Sequence, residues 1–297
     1  MAGLTNGINS NSVTPLEAIQ GGTGLSSPTN HGILVGQGSS AVDPIVLTNG
    51  ELLIGSTSAN PVAAALTAGS GISITPGAGS ITIANAGFVS VNVQILTGAS
   101  GTYTPTAGLV QCLVEMVGGG AAGGGATAGL FSQSVGGGGG AGEYAMSWFS
   151  ASSIGASKTY TCGAAGTPAS GTGGSGGNTT FGSTLVVANG GLGGATSGSS
   201  GSVAVGFGGV GGSGGTGTIL VNGTNGNPGL GGTANGNCSG AGASSRFGSG
   251  GTSATGTNTG NAGSGYGAGG SGGSTGGAVH DGGAGTAGMI MITEYIN

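Results

Sequence analysis

Along "LVQCLVEMV" (109–117) the side chains alternate. Val110, Cys112, Val114 and Met116 fall on one side, and Gln111, Leu113, Glu115 and Val117 on the other. "GMIMITEYI" (288–296) sets Met289, Met291, Thr293 and Tyr295 against Ile290, Ile292, Glu294 and Ile296. A period of two belongs to a β-strand. "EYAMSWF", "KTYTC" and "STLVVA" add shorter candidates, so strands are predicted mostly at 88–117, 143–163, 179–188 and 288–296. The first and last of these should be neighbours that close a domain. Tyr144, Trp148 and Tyr160 are expected in its core, and Glu115, Glu143 and Glu294 as single charges on outward faces.

Upstream the pattern repeats. "NHGILVGQGSSAVDPIVLT" (30–48) is followed by "NGELLIGSTSANPVAAALT" (49–67), each with an apolar triplet before glycine, a Ser/Gly turn, an Asx-Pro pair and a closing Leu-Thr. Asp43-Pro44 and Asn60-Pro61 read as turn signals. Ile72/Ile74 and Ile81/Ile83, around a Pro-Gly turn, read as a hairpin. Units this small cannot bury a core alone and must stack on each other or on copies of themselves. Residues 30–87 are therefore predicted to be a thin, repetitive β shaft of the kind a fibrous homotrimer uses. Residues 1–29 are polar and turn-rich, with one possible short helical piece at Leu16–Gln20, and are taken as an attachment segment.

From Gly190 to Gly288 apolar side chains are too sparse for an ordinary core, and a period of three takes over. "GGLGGAT" presents Leu192 and Ala195, "GGVGGSGGTG" presents Val210, Ser213 and Thr216, and "GGSGGST" presents Ser271 and Ser274. Earlier, "GTGGSGGN" presents Thr172, Ser175 and Asn178. Three residues per turn is the period of a polyproline-II helix, which makes no internal hydrogen bonds. Its backbone groups must pair with neighbours if buried. Residues 88–297 are thus predicted to be a β-strand-framed, Gly-rich domain of packed polyglycine-II-like helices. The whole chain is expected to be all-β, with almost no α-helix.

Composition sharpens this picture. The 297 residues include 80 glycines and 8 prolines, yet only 3 % are charged, and the mean hydropathy is +0.28. Disorder goes with low hydrophobicity and high net charge, so a folded chain is favoured. A net charge of −5, with Lys158 and Arg246 the only lysine and arginine, leaves no basic patch to neutralise phosphates and argues against nucleic acid. No apolar run is long enough for a membrane helix, and "MAGLTNGINS" lacks the pattern of a signal peptide. Cys112, Cys162 and Cys238 are too few and too scattered for a disulfide framework; Cys112 and Cys162 read as small core residues on strands.

Several stretches taken together resemble the glycine-rich C-terminal domain of tailed-bacteriophage and prophage tail fibres. They are "TGASGTYTPTAGLVQCLVEMVGGG", "GGGGGAGEYAMSWFSASSIGASKTYTCGAAG", "TTFGSTLVVANGG" and "GTAGMIMITEYI". "AIQGGTG" followed by "GILVG" and "ELLIG" resembles the shaft of the same proteins. The resemblance runs from about Leu16 to the end. It implies a virion protein made in the host bacterial cytoplasm, a distal adhesin domain, and a receptor on the bacterial surface, either a glycan or an outer-membrane protein. It also implies that the N-terminal segment joins another tail or baseplate protein. Recognition loops in such adhesins vary, so the resemblance carries over no contact residue.

Chemistry in the sequence is thin. G-x-G-x-x-G is nearly guaranteed at this glycine content and has no βαβ setting. "GGSGG" lacks the strand-turn-helix of a nucleophile elbow. No histidine or cysteine pair has zinc spacing, and no two acids are spaced as a glycosidase pair. No cofactor, metal or enzymatic activity is expected. A purely structural fibre subunit, or a polysaccharide depolymerase with a site shared between subunits, are the alternatives. The large or charged residues placed among loops of the Gly-rich region, Phe207, Arg246, Phe247, Tyr266, His280 and Asp281, are the candidate receptor contacts, since rings and polar tips on loops suit sugar or protein recognition.

Overall fold

The computed structural model describes residues 16–18, 21–87, 90–127, 133–198, 203–232 and 236–297. They form two units, Met1–Gly87 and Phe88–Asn297. The fold is all-β, with a single one-turn helix among the described residues.

The first unit holds three antiparallel hairpins, each its own two-stranded sheet: β1 (Gly32–Gln37) with β2 (Ser40–Val46), β3 (Glu51–Ser56) with β4 (Ala59–Ala65), and β5 (Ile72–Gly77) with β6 (Ser80–Asn85). The first two share an irregularity at the same place, between Val35 and Gln37 and between Ile54 and Ser56. Neither Asx-Pro pair makes a turn. Asp43-Pro44 lies inside β2, opposite Val35 and Leu34, and Asn60-Pro61 lies inside β4. Both strands of a lone hairpin are edges, where a missing N–H costs nothing if it faces solvent. In the third hairpin Pro76 pairs with Ile81, and the turn is Ala78-Gly79, with Gly79 at φ +72°. Among the described residues of this unit none is fully buried; Ile33, Leu34, Leu52, Ile54, Val62 and Ile83 are all exposed. The predicted helical piece at Leu16–Gln20 lies partly outside the described residues.

The second unit begins with β7 (Ser90–Leu96), β8 (Ser100–Tyr103) and β9 (Leu109–Val117). After β10 (Ser134–Val135) come β11 (Tyr144–Ser150), the one-turn helix α1 (Ala151–Ile154) and β12 (Lys158–Thr161). β13 (Thr179–Phe181), β14 (Val186–Ala188), β15 (Ala204–Gly206), β16 (Ile219–Val221), β17 (Gly229–Gly231) and β18 (Ser274–Thr275) are short, and β19 (Met289–Ile296) ends the chain. One antiparallel sheet has the order β16-β11-β9-β19-β7 and a second β14-β13-β12-β8. The predicted neighbours do meet: β7 pairs with β19 from Leu96↔Ile290 to Ser90↔Ile296.

Tyr103, Cys112, Val114, Met116, Ala145, Phe181, Val186, Ile290 and Ile292 make one buried cluster contributed by both sheets, and Ile154 of α1 joins it. Ser150 caps α1, its hydroxyl accepting from the Ser153 amide. β11 turns Ala145, Ser147 and Phe149 toward the core, while Trp148 points outward and is 46 % exposed. Trp148 is thus not the core residue the alternation suggested. Tyr144 also faces outward but is covered by a loop, and Tyr160 packs against the core.

Beyond the sheets the filling is backbone. Residues 116–126, 134–145 and 267–275 are buried almost throughout. In the first run Gly118, Ala121 and Gly124 donate to the carbonyls of Glu143, Gly140 and Gly137. Gly119, Ala122 and Gly125 donate to Gly177, Gly174 and Gly171, and Gly120, Gly123 and Ala126 to Thr286, Gly283 and His280. Each N–H therefore turns to the next neighbour in rotation and returns to the same one every third residue. Partner numbers fall by three at each return, so those neighbours run antiparallel. Carbonyls of the same run accept from Gly191 and Gly194, from Gly270 and Gly273, and from Gly166. The second run repeats the scheme: Gly137, Gly140 and Glu143 donate to Ala195, Leu192 and Asn189, while Gly136, Gly139 and Gly142 donate to Gly273, Gly270 and Gly267.

Runs this close leave no room for a side chain at many positions. A Cβ on Gly120, Gly123 or Gly139 would overlap the carbonyl of Ala268, Ser271 or Ala121 respectively. On the outer runs the predicted shared edge faces solvent at Leu192, Val210, Ser213, Thr172, Ser175 and Asn178. Ser271 and Ser274 differ: they lie on an inner run and are buried, Ser274 donating to Gly256 and Ser271 accepting from Asn261.

Candidate functional site

The six candidate contact residues fall into two groups. Arg246, Phe247 and Tyr266 lie at the sheet end of the lobe, where Phe247 and Tyr266 form a backbone bridge. His280 bridges Ala126 at the other end of the first inner run, whose sheet end is marked by Gly118 bonding Glu143. Eight residues separate Gly118 from Ala126, roughly 25 Å if the rise is about 3.1 Å per residue. Phe207 stands on a neighbouring run, its carbonyl accepting from Ala195, at the level of Gly137 and Gly124. It therefore belongs with His280 and Asp281, away from the sheets. Phe207 is 71 % exposed, and Asp281 is also exposed. The Nε2 of His280 is buried with no hydrogen-bond partner among the described residues.

The Arg246 group is built on the outer face of the five-stranded sheet. Register places Glu115 of β9 beside Met146 and next to Tyr144 of β11. The Tyr144 hydroxyl donates to Glu115 Oε1 at 2.5 Å, and Arg246 Nη2 stands 3.7 Å from the same oxygen. The guanidinium lies over the Tyr144 ring, 4.7 Å from its centroid, with Phe247 5.9 Å away. Burial, then the hydrogen bond to Glu115, pushes the Tyr144 phenol up to about 12. Beside this stack a cavity of about 290 Å³ is lined by Tyr144, Asn222, Thr224, Ser244, Ser245 and Arg246, with glycine and Val221. Arg246 and Phe247 stand out in the sequence as loop residues, but Glu115 and Tyr144 do not show as their partners, because nothing local links positions so far apart in the chain.

Two acids expected on outward faces are buried instead. Glu143 receives the amides of Asn189 and Gly215 at the base of the lobe. Glu294, between the sheets, accepts from Tyr103, Asn92, Gln94 and both the amide and hydroxyl of Thr106. A buried carboxylate is tolerated when its lone pairs are filled in this way. Glu115 and Glu294 face opposite sides of the same sheet. Among the described residues no three metal-ligating side chains come together, and no helix is long and apolar enough to cross a membrane. No protein-family model matches the chain, and no curated protein matches its sequence.

Proposed function

We propose that this chain is the tail fibre of a tailed bacteriophage or prophage, an adhesin that attaches the virion to the host surface through loops of its Gly-rich distal domain. The observation that carries the reading is the threefold rotation of backbone hydrogen bonds in the inner runs. It is the pattern that laterally packed helices with three residues per turn produce, and none of the glycines in the two runs traced above has a positive φ. We read the runs as polyglycine-II helices. Such a bundle fixes the ends of many short connections without needing a side-chain core, and so holds binding loops on a rigid frame.

The rest of the chain fits the same reading. Three hairpins with no buried residue suit a shaft that gains its interior from other copies, as in a homotrimer. Several fibres per virion would turn weak contacts into avidity. The receptor is a bacterial surface glycan or outer-membrane protein, and residues 1–29 would join another virion protein. Phe207, with His280 and Asp281 at the same end of the lobe, is the stronger contact group. Arg246 is engaged by Glu115 and Tyr144 and serves mainly to hold its loop. The reading includes no catalysis, because Glu143 and Glu294 are filled by protein donors. Purified chain added to host cells tests the proposal: it should bind them and compete with phage adsorption. A chain that assembles but does neither is a structural subunit, and the adhesin reading fails.

A further inference from the structure

Where the Arg246–Phe247 loop does not cover it, the outer face of the five-stranded sheet is apolar and exposed. Register puts Val91, Val93 and Ile95 of β7, Trp148 of β11, and Ile219 and Val221 of β16 on this one face. All six are exposed, Val91 at 57 % and Ile95 at 59 %. Both edge strands, β7 and β16, lack the lysines and other charges that usually guard an exposed edge. The single carboxylate on the face is Glu115, which Arg246 already accompanies, so two such faces meet without repulsion. The Arg246–Phe247 loop covers this face around Tyr144 and Glu115, so the open part, chiefly β7, β19 and the Trp148 end of β11, spans on the order of 300 Å² in projection. That is less than the roughly 800 Å² each partner contributes to a stable interface, so the face acts together with the hairpins that precede it.

The occupant is set by the neighbouring segment. β7 follows β6 after four residues, and the hairpins before it have no interior of their own, while isolated hairpins are marginal in water. A chain that meets its own copies through residues 32–85 raises the local concentration of its second units for one another. We propose that the outer face of β7 and β19, with Trp148 of β11, is a contact between copies of this chain that adds to the hairpin association. The proposal rests on the shaft reading above, but not on the adhesin reading.

Trp148 is the one tryptophan of the chain and lies on the face, so it reports directly. Full-length protein is examined by sedimentation and by acrylamide quenching of tryptophan fluorescence, alongside a Val93→Glu/Ile95→Glu double variant. We expect an assembled wild type in which Trp148 is shielded, and a variant whose dissociation concentration rises about tenfold or more, since carboxylates facing apolar side chains lose their water. Trp148 should then quench freely, while amide-exchange protection in the lobe shows the variant folded. An assembled wild type with quenchable Trp148, or an unchanged variant, overturns the contact and leaves the shaft standing. A monomeric wild type overturns both. A shielded Trp148 in a chain that fails to bind cells supports the contact and removes the adhesin reading alone.

Discussion

Tyr103 on one sheet donates its hydroxyl to Glu294 on the other, across 2.7 Å in the buried centre of the second unit. The bond ties β8 to β19 and leaves the phenol's ionisation strongly suppressed, first by burial and then by the carboxylate. For Glu294 burial pushes the pKa up. The Thr106 hydroxyl and amide, Tyr103 and Asn92 outweigh it and hold the group at about 2, against an ordinary 4.5.

A depressed folded-state pKa sets the sign of the pH dependence. The unfolded chain binds the proton first, so Glu294's contribution is complete above the unfolded value and fades as pH falls from about 5 towards 2. A shift of this size corresponds to stability on the order of 3 kcal/mol. Denaturant unfolding at pH 7, 4 and 2.5 should show stability dropping through that window. Glu294→Gln should be less stable at pH 7 and show a flatter acid limb. An equal pH slope in both proteins would remove Glu294 from the account.

The inner runs predict a position-specific intolerance of one methyl group. Gly123→Ala or Gly139→Ala sets a Cβ into a facing carbonyl, and neither side is a flexible side chain that can give way. The cost should be about 3 kcal/mol or more, at or beyond the upper end for overpacking, or the variant should fail to fold. Gly171→Ala and Gly277→Ala, where an added Cβ has nothing within 4 Å, should unfold within a few degrees of wild type. Thermal unfolding of the four variants decides whether backbone contact is the filling of the lobe.

Much of this was readable from periodicity. β9 and β19 show their faces because alternation on a half-buried sheet is a direct record of burial. The period of three likewise marks which residues share an edge, as Leu192 and Val210 do. It does not say whether that edge meets water or another run, which is why Ser271 looks like Ser213 in sequence and yet is buried. Trp148 was misplaced for a related reason. On β11 Tyr144, Met146 and Trp148 take the outer face, while Ala145, Ser147 and Phe149 go inside, the Ser147 hydroxyl accepting from the Thr218 amide. The buried state of Glu294 depends on donors about 190 to 200 residues away, beyond any local pattern.

Thiol chemistry should separate the three cysteines, all of them free. Cys112 is buried between the sheets, and burial together with the nearby Glu294 charge pushes its thiol up to about 11. Burial also raises Cys162, whose sulfur donates to the Leu96 carbonyl. Cys238 is exposed. A disulfide reagent at pH 8 should therefore titrate one thiol in the native protein and three in denaturant, because thiolate and access are both needed for reaction. Cys238→Ser should abolish the native reaction. Rapid labelling of a second thiol would mean that the interface between the sheets opens readily.

The two groups of candidate contact residues should behave oppositely when truncated. Arg246→Ala removes a guanidinium stacked on Tyr144 and the ion that accompanies Glu115. The partly exposed setting limits the loss to about 1 kcal/mol, and adsorption to cells should hardly change. Phe207→Ala removes an exposed ring that no described aromatic partner packs against. It should leave the unfolding midpoint where it was and weaken cell binding about tenfold or more if the ring anchors a receptor, as aromatic anchors at interfaces do. Unfolding curves and adsorption competition on the same two preparations separate the roles. If Arg246→Ala alone lost binding, recognition would move to the cavity beside Tyr144, at the sheet end of the lobe.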